Sequence, residues 1–148
     1  MTDLQARSSL GAFLRVPPFQ DNMRVLIVDD DEVISGAVFH HLNATGVDTD
    51  LALDPPAAER LLKANDYSLI LMDAYLTGQV NSGALALVDR VGQLRPGSSI
   101  VLLTAYASEQ FAERVARNPR ITLVNKPKSV TYITDLIGTM LEARGGNP

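Results

Sequence analysis

Ser68-Leu69-Ile70-Leu71-Met72-Asp73 is an apolar run that stops at a carboxylate. Without polar alternation, so short a run reads as a strand buried on both faces, the kind found in parallel sheets covered by helices on each side. Asp73 then stands where that strand ends. Working outward, three further runs have the same form. Val25-Leu26-Ile27-Val28 ends in Asp29-Asp30-Asp31, Ile100-Val101-Leu102-Leu103 ends in Thr104, and Ile121-Thr122-Leu123-Val124 ends in Asn125-Lys126-Pro127. In a parallel sheet the four polar ends gather at one edge, which is where open α/β sheets bind ligands.

Helical patterns fill the intervals. Residues 31–44 carry Ile34, Ala37, Val38 and Leu42 at helical spacing, with Asp31 and Glu32 suited to the positive N-terminal end and Gly46 as the stop. Residues 47–53 alternate, as in a half-exposed edge strand. Asp54-Pro55 reads as an N-cap followed by proline at the first helical position, opening a helix with Ala58, Leu61 and Leu62 inward. After Asp73 comes a turn-rich loop over 74–82, then a helix over 83–94 with Ala84, Leu85, Val88 and Val91 as its stripe, closed by Pro96-Gly97. Ser108 suits the cap of a helix bearing Phe111 and Val115, and the last helix, 129–143, shows Ile133, Leu136, Ile137, Met140 and Leu141 on one face. Five βα units with right-handed crossovers predict a doubly wound α/β sandwich with helices on both faces of a parallel sheet.

The expected domain spans 23–143, preceded by an N-terminal extension over 1–22 that reads as a mobile tail and followed by a C-terminal tail over 144–148. Within the extension, Leu10, Phe13 and Leu14 share one helical face, which leaves a docked helix as the alternative. At 148 residues the chain has room for one core and not two. A formal net charge of −4 gives no reason to expect nucleic acid as a partner, and the absence of cysteine excludes disulfides and thiolate metal sites. No run reaches membrane length, and Arg15 with Pro17-Pro18 interrupts the apolar stretch of the leader, so a soluble cytoplasmic protein is expected. His40 and His41 lie mid-helix, away from the strand ends, and read as ordinary surface or half-buried histidines.

Asp29, Asp30 and Asp73 are expected to converge with no arginine among them. Two carboxylates about 4 Å apart repel by roughly 4 kcal/mol at an effective dielectric near 20, so such a cluster takes up protons or binds a cation. On this ground, Asp30→Ala is expected to raise metal-free thermal stability while weakening cation binding. Hard oxygen ligands favour Mg²⁺ with one or two carboxylates, waters and a phosphate oxygen. Lys126 adds a positive charge and Thr104 a hydroxyl. An ionised aspartate, a divalent cation, a lysine and a hydroxyl are together what forming an aspartyl phosphate requires.

At these residues the sequence resembles the receiver domains of two-component response regulators, the CheY-like superfamily. The resemblance covers roughly residues 24–143 and rests on Val28-Asp29-Asp30-Asp31, Leu71-Met72-Asp73, Leu103-Thr104-Ala105 and Lys126-Pro127, in that order, each at a strand end. It implies a flavodoxin-like five-stranded sheet in the order 2-1-3-4-5. It implies further that Asp73 accepts a phosphoryl group from a histidine kinase or phosphotransfer protein. Asp30 would ligate Mg²⁺ directly and Asp29 partly through water, with Asp73 and the Tyr75 carbonyl completing the shell. Lys126 would pair with the phosphoryl oxygens, Thr104 would act as the switch hydroxyl, and Pro127 would follow a cis peptide bond. The output would be a changed surface on the last two helices and last strand that controls a downstream protein partner, with the chain catalysing only its own phosphorylation and dephosphorylation. Homodimerisation on activation is left open.

The sequence departs from the family pattern at three places. Thr77 stands where proline is usual four residues after the acceptor, and the loop before Gly83 is about two residues long relative to the family. Leu123 occupies the usually aromatic switch position, which excludes an aromatic tuck. Lys128 replaces an aromatic after Lys126-Pro127. Tyr75 and Tyr106, each two residues past a site residue, are at positions that tune loss of the phosphoryl group in the family, and both rings together are expected to lengthen its lifetime.

Three other readings compete. A haloacid-dehalogenase-like phosphatase shares the strand-end aspartate, Mg²⁺, threonine and lysine, but Tyr75 stands where its acid/base aspartate belongs and the paired aspartates come before the nucleophile. An FMN binder would need a hydroxyl-rich phosphate loop after the first strand, and none is present. An interaction module working without phosphate is opposed by the intact acidic residues and kept open by Leu123. The last residues, Gly145-Gly146-Asn147-Pro148, follow without a recognisable output domain, which fits either a stand-alone regulator or a piece of a longer one.

Overall fold

The computed structural model describes residues 23–74, 82–105, 109–126 and 128–145. Ten elements alternate along them: β1 (Arg24–Val28), α1 (Glu32–Ala44), β2 (Asp48–Ala52), α2 (Pro55–Ala64), β3 (Leu69–Asp73), α3 (Ser82–Leu94), β4 (Ser99–Thr104), α4 (Glu109–Ala116), β5 (Ile121–Asn125) and α5 (Val130–Gly145). The strands form one sheet in the order β2-β1-β3-β4-β5, and every neighbouring pair is parallel. The expected doubly wound sandwich is the observed one. Because side chains alternate along a strand, Leu26, Ile70, Met72 and Leu102 face a core closed by α2, α3 and α4, while Val25, Ile27, Leu71 and Val101 face one closed by α1 and α5.

Double-sided burial holds for β3, all five of whose residues are buried, and for nearly all of β1 and β4. It fails for β5, where only Val124 is buried, because β5 is an edge strand with one neighbour. β2 is the other edge, as its polar alternation indicated.

Helix ends follow the cap chemistry closely. Asp31 is the N-cap of α1, with extended backbone and a carboxylate accepting the Val33 N–H at 3.1 Å, so the helix proper begins at Glu32. Gly46, at φ 95°, lies in the left-handed region that the turn after α1 requires. Asp54 caps α2 through the Ala57 N–H at 2.8 Å.

Two helical faces are rotated from the sequence reading. In α1 the buried positions are Ser35, Val38 and Leu42, whereas Ile34 is exposed at 41% and Ala37 is exposed. Ser35 tolerates burial because its hydroxyl donates to the Asp31 carbonyl at 2.7 Å, which frees the face to turn by one position. In α3, Leu87 is buried alongside Ala84, Val88 and Val91, and Leu85 is only half-buried. The extension 1–22, the loop 75–81, the capping Ser108 and the final residues 146–148 lie outside the described residues.

Candidate functional site

The parallel register brings four strand ends to one edge. Val28 pairs with Met72 and Asp73 with Leu103, so β1 and β3 deliver Asp29 and Asp73 side by side, and Thr104 pairs with Asn125, next to Lys126. Backbone bonds continue past the strand ends and fix the approach of each segment. The Asp29 N–H donates to the Ala52 carbonyl at 3.0 Å, the Ala74 N–H to Leu103 at 2.8 Å and the Lys126 N–H to Thr104 at 2.7 Å.

On this frame one carboxylate oxygen from each of Asp29, Asp30 and Asp73 falls within 4.8 Å of the others. Asp29 and Asp73 are buried and Asp30 is exposed, so the cluster is a pocket floor with one outer wall. Asp29 Oδ1 accepts the Asp31 N–H at 2.9 Å, which orients its carboxylate. Lys126 Nζ reaches Asp73 Oδ2 at 3.1 Å, from a side chain that remains 36% exposed while that of Asp73 is 6% exposed. Thr104 is buried at the end of β4. Thus Asp29, Asp30, Asp73 and Lys126 meet as expected, and Thr104 ends the strand beside them.

Burial pushes the Asp29 carboxyl up from 3.8 to about 6; the Asp31 N–H opposes the rise, the Asp73 charge adds to it, and Lys126 draws it back. An aspartate raised in this way is one whose ionised form burial leaves short of solvation. Hard oxygen donors this close, two shielded from water and one facing it, fit a small divalent cation that keeps part of its hydration shell. Tyr75, Tyr106 and Pro127, which the resemblance placed around the site, lie outside the described residues.

The remaining singled-out residues fall elsewhere. His40 and His41 are exposed on α1, and Leu123 is half-buried against the core under α2, α3 and α4. Lys128 stands over the ring of Tyr132, its Nζ 4.8 Å from the centroid, an exposed cation–π contact where the family carries an aromatic. Two features escaped the sequence reading. Tyr67 is buried but not as simple packing: its hydroxyl donates to Asp50 Oδ2 at 2.6 Å, and Arg24 approaches the same oxygen at 3.3 Å, tying β1 and β2 to the start of β3. Glu59 joins Arg90 at 3.0 Å and Lys63 at 3.3 Å, linking α2 to α3. Charge counting offered no signal for either, since both depend on which helices and strands become neighbours.

The family model described as response regulator receiver domain matches residues 25–137. The transcriptional regulatory protein ComA of Bacillus subtilis is 29% identical over 120 residues, covering 77% of this chain and 54% of ComA. The chain spans about half, or less, of the length of the curated relatives it matches. A response regulator from Burkholderia pseudomallei, solved with a phosphorylated aspartic acid, calcium ion and citrate, is 26% identical with a TM-score of 0.65, covering 85% of this chain and 75% of that one. A CheY-like receiver domain protein from Methanospirillum hungatei superposes with a TM-score of 0.71 at 23% identity, over 82% of this chain and 95% of that one, and shows the shared fold.

Proposed function

The chain belongs to the response regulator receiver domain family, and from that premise we propose that Asp73 accepts a phosphoryl group with the help of a divalent cation, changing the surface that a partner protein reads. One observation carries the reading: the carboxylate of Asp73 is buried, has an oxygen within 4.8 Å of oxygens of two other carboxylates and is held at 3.1 Å by the ammonium of Lys126. A buried acid arranged so is a poor core residue and a good nucleophile.

In this reading Asp29, Asp30 and Asp73, with the Tyr75 carbonyl, would hold Mg²⁺. When bound, the cation neutralises the charge that gathers on the phosphoryl oxygens. A carboxylate oxygen of Asp73 attacks the phosphorus, the bond to the donor's histidine nitrogen or leaving oxygen breaks, and the electron pair departs with that leaving group. Lys126 holds Oδ2 before the step and a phosphoryl oxygen after it. The hydroxyl of Thr104 supplies a further donor to the phosphoryl group. The donor is a sensor histidine kinase or phosphotransfer protein, the unit that does this is 23–143, and the chemistry is confined to the chain's own phosphorylation and its reversal. Among the described residues no helix is long and apolar enough to cross a membrane.

The test is incubation with acetyl phosphate and Mg²⁺ followed by intact-mass measurement. Wild type should gain one phosphoryl mass and Asp73→Asn none; a variant that gains the same mass would place the acceptor elsewhere. Tyr75 and Tyr106 are assigned to restricting attack by water. An alanine double variant is therefore expected to lose its phosphoryl group about tenfold faster, a loss of about 1.4 kcal/mol of barrier, as read from the decay of the phosphorylated mass after donor removal. Unchanged decay would remove these tyrosines from the site.

A further inference from the structure

Away from the carboxylate cluster, α2 and α3 lie side by side on one core and both run back from the carboxyl edge of the sheet. A surface groove of about 480 Å³ follows their seam, crossed by the Glu59–Arg90 pair. Its origin is in the sequence. Pro56, Arg60 and Lys63 recur at helical spacing on the lining face of α2, and Gly83, Leu87 and Arg90 recur likewise on that of α3. Gly83 and Ala86 add little bulk to its α3 wall, and with Pro55 and Pro56 they make much of the lining apolar. Farther along, the walls become charged.

The charge is one-sided. Arg60, Lys63 and Arg90 line the cleft against one carboxylate, Glu59. Glu59 is already held by Arg90 at 3.0 Å and Lys63 at 3.3 Å, and those two cations keep its carboxyl below the ordinary range. Arg60 makes no ion pair among the described residues. Three cations against one acid leave the groove's charged end net positive, in a chain whose formal net charge is −4.

We propose that this cleft is a docking groove for an acidic, amphipathic helical segment of a partner protein. A ten-residue helix is about 15 Å long, so the groove along α2 accommodates roughly three turns of a partner helix. Apolar residues at i and i+3 or i+4 of that helix would face Pro55, Pro56 and Ala86. Glutamates on its flanks would meet Arg60, Lys63 and Arg90. The chain's own extension is poorly matched: residues 1–22 carry Arg7 and Arg15 against Asp3 and Asp21, so a cationic rim gains nothing by binding them. A second copy offers fewer matched positions, since its helical acids are interspersed with cations, as Glu109 and Glu113 are with Arg114 and Arg117. The groove requires no chemistry at Asp73, so its test is independent of the phosphoryl reading.

The experiment titrates the full chain with a synthetic amphipathic helix of leucines and glutamates at these spacings, and with the same peptide carrying lysine for glutamate. Binding is read by fluorescence anisotropy and by backbone amide shifts. The acidic peptide should bind, more weakly as salt rises, with shifts confined to α2 and α3, and the lysine peptide should not. The double variant Arg60→Glu, Lys63→Glu, at exposed positions, should bind the acidic peptide about tenfold more weakly or worse while keeping its thermal melt. No binding, equal binding of both peptides, shifts centred outside α2 and α3, or an unaffected double variant would overturn the proposal. So would concentration-dependent self-association lost in the double variant, which would give the groove to a second copy.

Discussion

Lys126→Ala is expected to slow phosphorylation of Asp73 by acetyl phosphate by about 10²–10³-fold, the usual cost of removing one well-placed donor from a developing anion. The reason is local charge. Asp29, Asp30 and Asp73 bring three carboxylates within 4.8 Å, and Lys126 is the cation that reaches Asp73 directly. The start of its side chain is set by backbone, since the Lys126 N–H is anchored on the Thr104 carbonyl at 2.7 Å, which brings the ammonium within reach of Asp73 once the strands pair. Phosphoryl transfer adds charge to this edge, and without the lysine that charge loses the ammonium that stands nearest Asp73 among the described residues. Lys126→Arg should recover part of the rate, because charge returns but the compact ammonium does not. The stability cost of the alanine variant should be well short of the 3–5 kcal/mol seen for fully buried pairs, because the Lys126 side chain is 36% exposed. A thermal melt therefore separates lost chemistry from lost fold. A rate within threefold of wild type (about 0.7 kcal/mol of barrier), with the melt unchanged, would take Lys126 out of the reaction.

Strand-end chemistry was the most legible part of the sequence, and the physical reason is covalent. Each catalytic candidate sits at the end of an apolar run, and once four such runs pair in parallel the ladder leaves their ends no freedom to be far apart. Asp73, Asp29 and Lys126 converge for this reason. The cap at Asp54 was equally readable, because Asp-Pro encodes both the acceptor and the first helical turn. Rotational phase was less readable. In α1 a serine replaces an isoleucine on the buried face because a hydroxyl can bond its own helix, which an apolar-spacing rule does not count. Double-sided burial of β5 was over-read, since apolar content does not reveal which strand ends the sheet. The Glu59 bridge and the Tyr67–Asp50 bond joined residues separated by 31 and 17 positions, and only the crossovers bring them together. Proton uptake or cation binding was anticipated for the cluster and not for one residue: burial, not sequence neighbourhood, selects which carboxyl is raised.

That selection gives the second large effect. Asp29→Asn should raise the metal-free melting temperature at neutral pH, and the gain should vanish in acid. The sign follows from linkage. Unfolded, Asp29 titrates near 3.8; folded, at about 6. Between these values the native state keeps a proton that the unfolded chain has released, so stability falls as pH rises. The penalty is absent below the unfolded value and complete above the folded one, where two units amount to at most about 3 kcal/mol, or roughly 5–10 °C for a domain of this size. Asparagine keeps an oxygen for the Asp31 N–H at 2.9 Å and carries no charge, so the variant escapes the penalty without losing the bond. Asp30→Ala should act in the same direction but less, because Asp30 is exposed and water already screens it. Saturating Mg²⁺ should narrow or invert the difference, since the cation stabilises wild type by mass action and the variant has lost a ligand. The measurement is a set of thermal melts of both proteins from about pH 4 to 8, spanning the range over which a carboxylate of this kind titrates, with chelator and with Mg²⁺. A variant less stable than wild type at neutral pH in chelator, or a difference that ignores pH, would mean that the buried carboxylate is compensated in the metal-free protein, and the electrostatic case for a cation at this edge would fall with it.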